Sequence, residues 1–469
     1  MTETTASGTT GQAGADVMAA DVMAADAAAA DAAAAGSTSD APVRCRVIGG
    51  VDTHVTAEEL DELVAASCAE LDLDGRTVTL VVPDGTRSCP LPMLMATMHR
   101  HLVGRVAELT AVIALGTHSY MEPEEIDRWF GVGGPGQPAT LEDAYPGMTI
   151  VNHEWADPSK LVHVGTIPAA RIAELSDGLL SEDASIVINR HVVESDIAIV
   201  VGPVFPHEVV GISGGNKYFI PGVASQEFID MTHWVGALIT SYEIIGTTGI
   251  TPVRAMINEG ASLIPTQRLA LCLVVESGTG ELEAAAFGTT EDAWAATAAI
   301  AAETHVRYVE KPFTRVISVM PERYEDIWTA AKGFYKLEPA VADGGEVVIY
   351  APHVTEVSET HPEIYEIGYH CRDYFVAQWD KFRDIHWGVL AHSTHLRGQG
   401  TYDAGTGEER LRVRVTLATQ IPQEVCESIN LGYLDPATVD LEALAAEPGT
   451  VVIPNAGEIL YRLRKAQES

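Results

Sequence analysis

The segment Ile197–Trp234, IAIVVGPVFPHEVVGISGGNKYFIPGVASQEFIDMTHW, decides how the chain is read. It opens on Ile197-Ala198-Ile199-Val200-Val201, an unbroken apolar run of the kind found in buried strands. Gly202-Pro203 ends that run, and His207, the loop Ser213-Gly214-Gly215-Asn216-Lys217 and His233 follow. Packing alone rarely needs two histidines and a glycine-flanked lysine in so short a span. The glycines let the backbone approach something bulky. The lysine serves as a cation or, deprotonated, as a nucleophile, and each imidazole can carry a proton or bind a metal. The segment reads as part of an enzyme site.

The same pattern recurs on both sides of it. Val78-Thr79-Leu80-Val81-Val82 and Ala111-Val112-Ile113-Ala114-Leu115 are further short buried strands, each followed by a loop and a helical pattern. Pro123-Glu124-Glu125-Ile126 places proline and acids where a helix start favours them. This alternation predicts α/β architecture with mainly parallel sheets. Near residue 310 a second series begins, with strands at Val316–Val319 and Val347–Tyr350 around a helix from about Tyr324 to Ala342. A chain of 469 residues exceeds one ordinary core, so two α/β domains are expected. The boundaries read as a tail at 1–42, domains at 43–310 and 311–455, and a closing segment at 456–469, helical over Ala456–Lys465 and packed back on the first domain. The tail is low-complexity, with Asp16, Asp21, Asp26 and Asp31 at a five-residue period that builds no coherent helical stripe. It reads as disordered and dispensable for chemistry.

Composition narrows the function. Lys+Arg total 29 against 66 Asp+Glu, a formal net charge of -37, which argues against nucleic acid and against an anionic membrane surface as partners. The acidity reads as a well-solvated exterior. Six scattered cysteines form no Cys-x-x-Cys pair, so a reduced, cytoplasmic compartment is expected. No apolar run approaches the ~20 residues that span a bilayer, and the N-terminus lacks the basic and apolar regions of a secretory signal. Assembly as a homo-oligomer is left open.

In open α/β sheets the ligand crevice lies outside the carboxyl ends of the strands. Three strand ends lead here into Pro83-Asp84-Gly85-Thr86-Arg87, into Gly116-Thr117-His118, and into Pro206-His207 with the glycine–lysine loop. Each residue also has a plain structural reading: Arg87 as a surface ion-pair partner, His118 as a hydrogen-bonded loop residue, His233 as a core histidine. The loop fails as a phosphate-binding P-loop, because Asn216 separates Gly215 from Lys217 and Tyr218 follows where Ser or Thr is required. Its amides can still cradle an anion. No zinc-protease motif, cysteine cluster or calcium loop is present. The segment His386–Gly398 carries His386, His392 and His395, but its glycines and Ser-Thr argue against a helix; it reads as a substrate-binding or subunit-contact loop rather than a zinc site.

Taken together, the ordered set Asp84-Gly85-Thr86-Arg87, Leu115-Gly116-Thr117-His118, Pro206-His207, Ser213-Gly214-Gly215-Asn216-Lys217, Pro221-Gly222 and His233 resembles the nickel-pincer lactate racemase family, with its wider set of 2-hydroxy-acid racemases and epimerases. The resemblance covers nearly everything from about residue 44 onward. It implies a site in an interdomain cleft and a cofactor in which nickel is held by a sulfur–carbon–sulfur pincer on a pyridinium mononucleotide. By that resemblance Lys217 tethers the cofactor as a thioamide, His233 is the protein ligand to nickel, and His118 and His207 are the two acid/base groups. Arg87 and Lys332 hold the carboxylate of a small 2-hydroxy acid, Asp84 orients its neighbours, and Ser213, Gly214 and Gly215 meet the cofactor phosphate.

The implied chemistry requires such residues. Hydride leaves C2 while one histidine takes the hydroxyl proton; return of hydride to the other face, with the second histidine reprotonating oxygen, inverts the centre. A cationic clamp keeps the carboxylate fixed meanwhile. One departure stands out: lactate racemases are expected to carry Tyr-Gln shortly before the second-domain lysine, where this chain has Trp328-Thr329. That argues against lactate itself, and the polar segment from 386 to 397 suits a longer or hydroxylated acid. The alternatives are a catalytically silent homologue that binds a nucleotide or the cofactor, and a phosphotransferase built on the glycine–lysine loop.

Overall fold

Residues 43–116 and 118–464 are described in this computed structural model. The tail at 1–42 and the last five positions, including Lys465, lie outside them. Seven strands build the first sheet: β1 (Arg46–Gly49), β2 (Thr77–Pro83), β3 (Glu108–Ala114), β4 (Met148–Asn152), β5 (Ile197–Pro203), β6 (Gln267–Val275) and β7 (Leu282–Thr289). Their order is β1-β7-β6-β5-β2-β3-β4. The five strands β4-β3-β2-β5-β6 run parallel, while β7 and β1 close one edge antiparallel. All seven residues of β5 are buried, as their apolar run requires with helices on both sheet faces.

Strand order reverses between β2 and β5, so the connections leaving them diverge and open a crevice at their carboxyl ends. Asp84 and Arg87 follow β2, and His207 follows β5.

The second sheet is formed by β8 (Phe313–Val319), β9 (Val341–Ala351), β10 (Arg414–Thr419), β11 (Gly432–Tyr433) and β12 (Thr450–Ile453), in the order β11-β10-β9-β8-β12. Every pairing in it is parallel. The α/β class and the mainly parallel sheets agree with the sequence reading.

Three local expectations are corrected. The helix expected from Tyr324 to Ala342 is broken into Ile327–Ala330, Lys332–Tyr335 and a single 3-10 turn at Glu338–Ala340. Pro339 has no amide hydrogen to continue a helix, and β9 already begins at Val341. The described part of the closing segment is not helical: Leu460–Leu463 is a strand paired in parallel with Val306–Val309. Leu460 is fully buried in that pairing, and tertiary burial overrides the local helical preference. Third, Trp387–Arg397 is a helix, with Gly388 at its second position and Gly398 ending it at a φ of 75°. Its Ser393 hydroxyl donates to the Gly368 carbonyl at 2.8 Å rather than competing with the helix.

Candidate active site

One cavity at the carboxyl ends of β2, β3 and β5 gathers Asp84, Arg87, His118, His207, Ser213, Gly214, Lys217 and His233. From the second half of the chain come Trp328, Lys332, His361, His392 and His395. Of the residues to which the resemblance gives a role, Gly215 alone does not line this cavity and lies in the 3-10 turn Gly215–Tyr218; His386 is outside the lining too, with Nδ1 3.3 Å from Asp230 Oδ2.

The turn after β2 is internally wired. Asp84 Oδ1 accepts from the Thr86 hydroxyl at 2.6 Å, and Thr86 Oγ1 accepts from Arg87 Nη1 at 2.8 Å. Asp84 Oδ2 lies 2.6 Å from His118 Nδ1. Burial opposes ionisation of Asp84, but His118 and Arg87 outweigh it and hold the carboxyl well below the usual range. An ionised Asp84 can only accept, so His118 carries its proton on Nδ1 and presents Nε2 as a lone pair.

His207 has the opposite arrangement. Its Nδ1 accepts the Val209 amide at 3.1 Å, which leaves the proton on Nε2. Burial, with Lys217 and Arg87 nearby, pushes its pKa well down and keeps the ring neutral. The Glu208 carboxylate also comes within 3.2 Å of Nδ1, but the amide holds the bonding direction.

The lysine loop needs its glycines. Gly214 and Gly215 have φ of 87° and 58°, and a Cβ at Gly214 would lie 2.4 Å from Val204 Cγ2. Lys217 is half-buried; its desolvation, opposed by Glu208 and helped by Arg87, brings its pKa down to about 7, so much of it is neutral amine near neutrality. His233, on the helix Gln226–Ile239, places Nδ1 2.7 Å from the Ile229 carbonyl one turn earlier. A carbonyl only accepts, so Nδ1 is protonated and Nε2 is free to donate its lone pair. Burial, then Lys217, lowers His233 to about 4.

Lys332 reaches the cavity from the short helix after Trp328, with Nζ 3.3 Å from the Thr329 carbonyl. Burial and then Arg87 bring its pKa to about 8. The Trp328 indole is sandwiched between two imidazoles, its centroid 4.0 Å from His361 and 3.9 Å from His392. His361 and His395 are lowered by burial to about 4, and His392 well down for the same reason. His361 Nε2 and both ring nitrogens of His395 are buried without a partner.

Several contributors were not evident in the sequence. Glu208 supplies negative charge among Lys217, Lys332 and Lys336. Lys336 donates to the Pro206 carbonyl at 2.7 Å and the Glu458 carbonyl at 3.0 Å, bracing the strand end before His207. His361 stands alone in His361-Pro362 with no pattern to mark it. Lys332 and Trp328, from the resemblance, and the histidines of the segment 386–398 were the sequence signals for the second wall. Among the described residues no cluster of three or more His, Cys, Asp or Glu is placed to hold a metal unaided.

Residues 52–244 match the lactate racemase N-terminal domain. Among curated proteins, the chain is 25% identical over 284 residues to the lactate racemase of Thermoanaerobacterium thermosaccharolyticum, covering 59% of this chain and 60% of that one. It is 25% identical over 185 residues to the lactate racemase of Lactiplantibacillus plantarum, covering 39% and 36%. The chain thus spans less than two thirds of the length of either curated relative. Among solved structures, a Thermotoga maritima protein superimposes with a TM-score of 0.80 at 32% identity, over 89% of this chain and 100% of that one. The lactate racemase apoprotein of T. thermosaccharolyticum shares the fold, with a TM-score of 0.65 at 19% identity over 88% and 95%. Among the described residues no helix is long and apolar enough to cross a membrane.

Proposed function

The chain belongs to the lactate racemase family, and we propose on that premise that it is a racemase or epimerase inverting C2 of a small 2-hydroxy acid. The observation that carries this reading is the convergence of His118, His207, Lys217, His233, Arg87 and Lys332 on one cavity. The residues present suit a nickel-pincer nucleotide. Lys217 offers a half-buried, partly neutral amine for covalent attachment, and His233 offers a neutral imidazole whose Nε2 lone pair is fixed by the Nδ1 contact to Ile229. A single protein ligand suffices where the cofactor carries the remaining donors. When bound, that group would supply the hydride acceptor and donor for C2.

The chain's own residues account for binding and proton movement. Arg87 and Lys332 are the cations for the substrate carboxylate, and Ser213 and Gly214 border the place for the cofactor phosphate. His118 takes the hydroxyl proton at Nε2, and Asp84 stabilises the imidazolium that results. His207 presents Nε2–H to the oxygen from its own position in the cavity. Complementary tautomers at rest provide one base and one acid without a net charge change.

The substrate is proposed to be other than lactate. A methyl group against Trp328, His361 and His395 would leave three buried ring nitrogens unsatisfied, each at a cost of about 1–3 kcal/mol. Hydroxyl groups both donate and accept, as neutral imidazoles do, so a 2-hydroxy acid with a hydroxylated chain fits this wall. Intact mass and nickel content, on protein co-expressed with the cofactor-forming enzymes, test the cofactor; chiral analysis of 2-hydroxy acids incubated with that protein tests the reaction. A lysine-linked adduct with stoichiometric nickel but no inversion of any hydroxy acid would favour the silent cofactor-binding alternative.

A further inference from the structure

The loop that carries Lys217 is gripped from behind by two residues that do not line the cavity. Arg254, on the helix Pro252–Ser262, is 1% exposed. It donates from Nη1 to the Gly214 carbonyl at 2.9 Å and from Nη2 to the Ile212 carbonyl. Trp294, on the helix Thr290–Thr304, donates Nε1 to the Ser213 carbonyl at 2.8 Å. The two grips touch each other, with the guanidinium 4.3 Å from the centroid of the Trp294 ring. Three consecutive carbonyls are therefore drawn to one side of the loop. The Gly214 carbonyl also accepts the Lys217 amide at 3.2 Å, so the guanidinium and the lysine's own backbone share one acceptor.

Packing alone does not explain this arrangement. A buried guanidinium is costly, and Arg254 makes no ion pair among the described residues. Its two terminal nitrogens go to the loop instead, where a planar fork can fix two carbonyls at once, while Nε has no partner. Gly215 completes the fit: a Cβ there would lie 2.8 Å from Trp294 Cβ and 2.9 Å from the Thr290 carbonyl. The loop is seated flush against the helix that carries the tryptophan.

We propose that Arg254 and Trp294 are positioning residues that commit the Lys217 side chain to the cavity. Their purpose rests on the reading of Lys217 as the attachment point; their geometry does not. The test compares Lys217 with Lys332, which lines the same cavity but hangs on a different segment. Trace acetylation of the apoprotein with acetic anhydride, followed by peptide mass spectrometry, gives the Lys217:Lys332 labelling ratio. Trp294→Phe keeps the ring beneath the guanidinium and deletes the bond to Ser213. Arg254→Lys keeps the charge and loses the fork. In each the ratio is expected to fall roughly threefold to tenfold, the population change produced by losing one hydrogen bond. General loosening of the fold would raise both lysines together. Should Arg254→Lys fail to fold, Trp294→Phe decides alone; an unchanged or raised ratio in it overturns the proposal. In protein co-expressed with the cofactor-forming enzymes, the adduct fraction falls in the same variants. A wild-type chain without adduct, but with the expected fall in ratio, removes the cofactor reading and leaves the grip standing. Adduct in the wild type with an unchanged ratio does the reverse.

Discussion

On the strand-end wall of the cavity the polar groups are already committed to one another. Asp84 holds His118 and Thr86, Val209 holds His207, and Ile229 holds His233. On the facing wall Trp328 lies between His361 and His392, and His361 and His395 keep buried ring nitrogens with no protein partner. On the proposed reading, a wall whose rings are each anchored by the protein through Nδ1, with Nε2 left free, serves chemistry that is the same for every substrate, because its groups must not reorganise during reaction. A wall left incomplete is finished by whatever binds, and its vacant donors and acceptors select the ligand. On the proposed reading, reaction and specificity thus fall to different parts of one cavity's lining.

The sharpest way to break this division is Lys217→Ala, which abolishes the covalent adduct in intact mass while leaving far-UV circular dichroism unchanged; an adduct that persists removes Lys217 from the strand-end wall's role. His118→Asn comes next: kcat falls by about 10²–10⁴, the usual contribution of an acid/base group, for every substrate alike. The facing wall responds more mildly and more selectively. His395→Phe lowers kcat/KM for a hydroxylated 2-hydroxy acid by roughly 10–200-fold while that for lactate moves little. Equal losses on both substrates would erase the distinction between the walls.

The smallest effect is on stability. His361 and His395 protonate near 6.5 in the unfolded chain but only near 4 when folded. The unfolded state therefore binds more protons as pH falls through that window, and stability is lost from about pH 6.5 downward. At pH 5 each costs about 2 kcal/mol relative to neutrality. Urea denaturation of His395→Phe should show a pH 7 to pH 5 loss smaller than the wild type's by about that amount.

The two walls also differed in how much of them could be read from the chain. Strands such as Ile197–Val201 declare themselves through continuous apolar runs, and residues that follow strand ends fall together by topology alone, which is why Asp84, Arg87, His118 and His207 were found in order. The facing wall is made by long-range contacts. Nothing local relates Trp328 to His361 or His392, and Glu208 was hidden beside a more conspicuous histidine. Propensity misled where burial decided: Trp387–Arg397 is a helix despite its glycine and hydroxyl residues, and Leu460–Leu463 is a strand because Val306–Val309 offers it an edge.

That edge strand is entered through Glu458, whose carboxylate accepts from the Ser88 amide and the Ser277 hydroxyl and pairs with Arg323, while its carbonyl receives Lys336. Ser88 directly follows the substrate-clamp candidate Arg87, and Lys336 braces the strand end before His207. A ribosome reaches Glu458 only after every strand of both sheets has been made. The bonds from Glu458 to Ser88, Ser277, Arg323 and Lys336 thus cannot precede the synthesis of both sheets, so the tie between the turn after Arg87 and the strand end before His207 is made late in the order of translation.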